Sequence, residues 1–156
     1  MARTATAGSG GRSQHSETWL NRSRRADRER VGCSTVGACN FNNITISQNS
    51  GTTFRSPGVY CGGLEVRQNN TVILAPGLYI FKPSTGAGAK AGQLLLNSNV
   101  NLTGSGVLLY FTGTGGSPSV PSTPQFNSNG NISLSAPTTA LYSGAIPGVV
   151  VFVDPL

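Results

Sequence analysis

Charge is the first thing this chain has little of. Asp, Glu, Lys and Arg make up 10% of its 156 residues, against roughly 25% in an average soluble domain. Long apolar runs are missing as well. No stretch reaches the roughly 18 residues of a membrane-spanning helix, and no apolar segment of about 7–15 residues follows the basic start, so no secretory signal is visible. The single histidine, His15, lies near the N-terminus, which leaves the remainder without a Ser–His–Asp arrangement. Helix-forming Glu and Lys are scarce, while Gly, Ser, Thr and Asn are abundant. That balance disfavours helices and suits short strands joined by tight turns.

The formal charge of +6 is unevenly placed. Residues 1–30 hold Arg3, Arg12, Arg22, Arg24, Arg25, Arg28 and Arg30 with Glu17, Asp27 and Glu29. Residues 31–156 keep only Arg55, Arg67, Lys82 and Lys90 against Glu65 and Asp154, a net of +2. A basic tail touches nucleic acid or anionic lipid when it carries a motif for doing so. This one has Trp19 as its only aromatic, so residues 1–32 read as a disordered basic leader with no nucleic-acid partner. Residues 33–156 read as one domain.

Internal repetition organises that domain. Leu64–Leu74, Leu94–Leu102 and Phe126–Leu134 share a frame, and Ile44–Phe54 is a weaker copy. Anchored on Phe54, Leu74, Leu102 and Leu134, the copies align Asn49, Asn69, Asn97 and Asn129 five positions earlier. Eight positions earlier they align Ile46, Val66, Leu94 and Phe126. A strand opened by glycine follows each unit, in PGVYC (57–61), PGLYIF (76–81), GSGVLLYF (104–111) and PGVVVFV (147–153). The basic period is 19 residues, from Pro57 to Pro76, and later copies lengthen through insertions near 83–92, 113–124 and 137–147. Alternating apolar residues mark half-buried strands, and repeats that cannot bury their own apolar face must stack on their neighbours. The expected fold is therefore all-β: a right-handed parallel β-helix, or β-solenoid, of about four three-stranded coils over roughly 40–154. Asn49, Asn69, Asn97 and Asn129 are expected to form an asparagine ladder at a repeated turn.

These elements resemble a known family. The runs SPGVYCGGLEV, NNTVILAPGLYIF, NSNVNLTGSGVLLYFTGTG, NGNISLSAPT and GVVVFVDP are similar to the C-terminal repeat region of TadE/TadG-like proteins of the bacterial Tad (Flp-type) pilus assembly system. The resemblance covers roughly residues 33–156. It implies an exported location in the cell envelope or outside the cell, and a structural or accessory role without catalytic residues. The implied partners are other envelope or pilus-assembly proteins; separately, open solenoid ends expose strand edges, which makes end-to-end association of solenoids an expectation. Family members are anchored by an N-terminal membrane helix. Residues 1–32 contain none, so they are not expected to represent the native start.

No CxxC or histidine partner accompanies Cys33, Cys39 and Cys61, so no zinc site is expected. With a two-residue bulge near Asn40–Asn43, Cys39 falls level with Cys61 in the adjacent coil, and stacked positions about 5 Å apart suit a disulfide. The alternative is buried free thiols; Cys33 is left over. For catalysis, Glu65 and Asp154 are the only carboxylates of the repeat region. Three coils at about 4.8 Å separate them by about 14 Å along the axis, beyond the roughly 9.5 Å of an inverting glycosidase pair. Glu65 reads as an outward residue beside Arg67, and no catalytic site, metal or cofactor is expected. A different alternative is a surface-binding solenoid, an adhesin or an ice-binding-like face, although Thr45, Thr52, Thr53, Thr71, Thr103 and Thr112 form no regular column. Tyr60, Tyr79 and Tyr110 are either a sugar platform or, as favoured here, packing residues on the outer face and under inserted loops.

Overall fold

The computed structural model describes residues 37–47, 51–85, 90–113, 122–140 and 143–154. The leader expected over 1–32, Cys33 and Asn49 lie outside these residues. Among the described residues there are no helices and every strand pair is parallel. The strands are β1 (Phe41–Ile46), β2 (Thr52–Arg55), β3 (Gly58–Val66), β4 (Thr71–Leu74), β5 (Gly77–Lys82), β6 (Leu94–Asn97), β7 (Asn101–Gly104), β8 (Val107–Phe111), β9 (Pro124–Asn127), β10 (Ile132–Leu134) and β11 (Val151–Val153). They make a 7-stranded and a 4-stranded sheet.

β3 divides the larger sheet. Its first part, Gly58–Cys61, pairs with β5, and its second, Leu64–Val66, pairs with β6, while β1 runs beside both. Between the two parts Gly62 and Gly63 take φ of 73° and 83°, backbone that side-chain-bearing residues rarely adopt. They form a β-bulge that redirects the strand. Three strips of strands result, and the chain visits them in the same order in each repeat. The first holds the start of β1, the start of β3, β5, β8 and β11; the second holds the end of β1, the end of β3, β6 and β9; the third is β2–β4–β7–β10.

The core is built of columns running across the strands. On the first strip Phe41, Tyr60, Phe81, Phe111 and Val153 are in register. Ring centroids lie 4.5 Å apart for Phe41–Tyr60, 5.4 Å for Tyr60–Phe81 and 4.8 Å for Phe81–Phe111. Ile46–Val66–Leu96–Phe126 runs along the second strip and Thr53–Val72–Leu102–Ile132 along the third. The middle members of these columns are buried, and each such side chain contributes about 1.5–3 kcal/mol of hydrophobic stabilisation. At the first edge, Asn40 donates its N–H to Val59 O (3.0 Å) and accepts the Val59 N–H on Oδ1 (2.8 Å), so one side chain extends the ladder as a cap. At the opposite edge the columns end on Phe126, Val151 and Val153, which are exposed.

The register corrects several alignments expected from sequence. Leu74 pairs with Gly104 and Val72 with Leu102, two residues away from the expected match of Leu74 with Leu102. Likewise Tyr60 pairs with Phe81, and the two PG-opened strands are offset by two positions. A slip of two keeps every side chain on its own face, so the burial pattern survives it. Phe54 is different: it pairs with Ile73, and Arg55 with Leu74. That slip of one turns Phe54 outward, to 73% exposure. Five residues separate β1 from β2 and four separate β3 from β4, and this difference of one in spacing puts Phe54 on the other face.

Candidate functional site

Cys39 and Cys61 are joined in a disulfide, with Cα atoms 5.7 Å apart. The expected route to it needs correcting. The extra residue of the bulge sits on β3, where Asn42 pairs with Cys61 and Ile44 with Leu64. Cys39 reaches Cys61 because the chain bends at Asn40, and Lys82 Nζ donates to Gly37 O (3.0 Å) beside it. Cys61 itself is level with Lys82.

The asparagine ladder has different members. Asn99 Nδ2 donates to Asn69 Oδ1 (3.2 Å), whereas Asn97 belongs to β6, pairs with Asn127 and reaches Glu65 Oε1 at 3.5 Å. The structure therefore does not gather Asn69, Asn97 and Asn129 into one column. The left-handed turn residues are Gln68 (φ 57°) and Ser98 (φ 68°), one position before Asn69 and Asn99. Asn70 is fully buried at the third strip's entrance, and its Nδ2 donates to Arg67 O.

The tyrosines are packing residues. Tyr60 and Tyr79 point into the core and are fully buried. Their hydroxyls donate to carbonyls, Tyr60 to Ser56 O (2.7 Å) and Tyr79 with its one proton shared between Arg55 O and Ala75 O (2.8 Å each). Burial pushes the Tyr60 phenol up to about 12, opposed by the Arg55 cation. Tyr110 is level with Ile80. It stacks on Phe152 with centroids 5.6 Å apart and donates to Asp154 Oδ2 at 2.9 Å.

One surface feature gathers polar chemistry. A groove of about 380 Å³ lies over the outer side of the second strip, lined by Asn43, Thr45, Glu65, Arg67, Lys90 and Gln93, with Ile44 and Leu95 as apolar parts. Glycines shape it. A Cβ on Gly62 would overlap the Asn43 amide, one on Gly63 the Gln93 backbone, and one on Gly92 the Lys82 backbone. Only bare backbone lets segment 90–93 lie against the bulge, where Leu64 N–H donates to Gln93 O (2.8 Å). Ser84 fixes the start of that wall, accepting the Lys90 N–H on Oγ (2.8 Å) and donating its own N–H to Lys90 O (2.9 Å). Asn43 is held at φ 47° on the opposite side. Glu65 Oε1 accepts from Arg67 Nε at 2.6 Å, with side chains 18% and 53% exposed respectively. The Gly62-Gly63 doublet and the Glu65–Arg67 pair were visible signals in the sequence. Lys90 and Gln93 come from an inserted loop whose path no periodicity reveals.

Among the described residues, no group of three or more His, Cys, Asp or Glu side chains could hold a metal ion, and no helix is long and apolar enough to cross a membrane. Neither protein-family models, nor curated proteins, nor solved structures give a match to this chain.

Proposed function

We propose that the chain is a right-handed parallel β-solenoid acting as a non-catalytic structural or accessory component of an exported bacterial envelope assembly, of the Tad pilus type that its sequence resembles. The observation that carries this reading is the stacking itself. Core columns continue from repeat to repeat, so that each repeat buries its apolar face against the next, as expected of a stacked structural module. A right-handed path follows from crossover sterics. The Cys39–Cys61 disulfide supports an oxidising compartment, since such bonds are rare in the cytosol. Glu65 and Asp154 are engaged by Arg67 and Tyr110 on different strips, an arrangement that serves packing better than bond cleavage. The test is fractionation of native cells, with non-reducing peptide mapping and cross-linking. Recovery in the envelope fraction, disulfide-linked and cross-linked to pilus-assembly proteins, is expected. A cytosolic protein with free thiols and no envelope cross-links would overturn the proposal. A surface-binding role is favoured by one separate observation, the charged groove.

A further inference from the structure

The groove over the Gly62–Gly63 bulge gathers charge in a domain that has very little. Of the six charged residues beyond position 30, Glu65, Arg67 and Lys90 line it. We propose that it binds an acidic sugar, a pyranose unit carrying a carboxylate. Arg67 and Lys90 supply the positive charge for the carboxylate. The ion pair with Glu65 uses Nε of Arg67, which holds the guanidinium at the groove and leaves its terminal nitrogens outside that contact, donors of the kind that pair with a carboxylate. Glu65, Asn43, Thr45 and Gln93 supply acceptors and donors for ring hydroxyls. Ile44 and Leu95 give the apolar surface that the C–H face of a pyranose needs. The volume of about 380 Å³ falls in the range of small-molecule sites.

Other anions fit less well. A phosphate dianion brings twice the negative charge of a uronate beside the Glu65 carboxylate and has no use for the apolar surface. A peptide bound in extended form recruits an unpaired strand edge, but the floor here is the middle of β1–β3–β6, whose backbone groups are already paired. The glycines that let segment 90–93 approach make this wall a constructed feature of the fold. The inference stands independently of any envelope role.

The test is titration of the full chain, followed by amide chemical shifts and calorimetry, with a uronic acid trisaccharide, free uronate, a neutral trisaccharide of the same linkage and an acidic peptide. Saturable binding of the uronate ligands is expected, with shifts at Thr45, Glu65 and Gln93 and little response to the neutral sugar. Tighter binding of the trisaccharide than of free uronate identifies a polysaccharide as the source; equal binding identifies a soluble monomer. R67Q and K90Q, both at surface side chains, are expected to weaken binding by at least about tenfold each. F54A, on the third strip, is expected to leave it unchanged. Absence of saturation at 10 mM (about −2.7 kcal/mol), equal affinity for the neutral sugar, preference for the peptide, or unchanged affinity in the R67Q/K90Q double variant would overturn the proposal.

Discussion

Phe54 and Leu74 are both large apolar residues ending a repeat unit, and sequence alignment gives them the same place. The structure gives them opposite faces, so paired substitutions measure the register directly. Leu74 is 3% exposed, and its neighbour along the column is Gly104, whose position for a Cβ lies 3.0 Å from Leu74 Cβ. With no side chain at 104 to lean into the gap, Leu74→Ala leaves most of its cavity open. Leu→Ala substitutions in such sites cost about 2–5 kcal/mol, and poor relaxation places this one at about 3–4 kcal/mol. Phe54 is 73% exposed, and Phe54→Ala is expected to change stability by no more than about 0.5 kcal/mol. In urea, with a slope of about 2 kcal/mol per M, the midpoint falls by about 1.5–2 M for Leu74→Ala and by less than about 0.3 M for Phe54→Ala. Equal midpoints for the two variants, or a larger loss for Phe54→Ala, would refute the one-residue inversion after β1.

Four other outcomes are expected. Reducing Cys39–Cys61, which closes a separation of 22 residues, lowers stability by about 3 kcal/mol on the chain-entropy model, read as a drop in Tm with reductant; an unchanged Tm would show that the bridge constrains nothing. Gly63→Ala, at φ 83° and against the Gln93 backbone, costs at least about 2 kcal/mol, whereas Gly51→Ala, at φ 74° with no atom within 4 Å, costs only about 1 kcal/mol from its backbone conformation. Denaturation midpoints compare the two, and similar values would mean that the close approach is not the cause. Because the Tyr60 phenol is raised to about 12 from 10.0, its contribution to stability is fully present below about pH 10 and is lost as pH rises from there through 12. The loss reaches about 2–3 kcal/mol at most, and denaturation between pH 9 and 12 should show it in the parent but not in Tyr60→Phe. Asn99→Ala breaks the contact with Asn69 and costs under about 1 kcal/mol because both ends are exposed; a cost several times larger would mean that the turn depends on the ladder.

Periodicity by itself determined the all-β class, because alternation with period two in Leu64–Val66, Val72–Leu74 and Leu94–Leu96 has one way to bury its apolar side. It also determined that the repeats pair in parallel, since segments of like pattern about 20–30 residues apart must stack to cover a shared face. The pairing of Cys39 with Cys61 was expected on a level position that the structure does not give it: Asn42 is level with Cys61, and the bend at Asn40 brings Cys39 to it. Register was decided only in three dimensions. A two-residue slip, as at Leu74 and Leu102, leaves hydrophobic patterning unchanged and is invisible in the sequence, whereas the difference of one in the spacing before β2 puts Phe54 on the other face without changing its chemistry. The groove belongs to tertiary structure as well. Its walls come from a bulge and an inserted loop, which are brought together by the absence of three Cβ atoms at Gly62, Gly63 and Gly92. No pattern along the chain encodes that encounter, because it depends on which backbone segments come close enough for a side chain to collide.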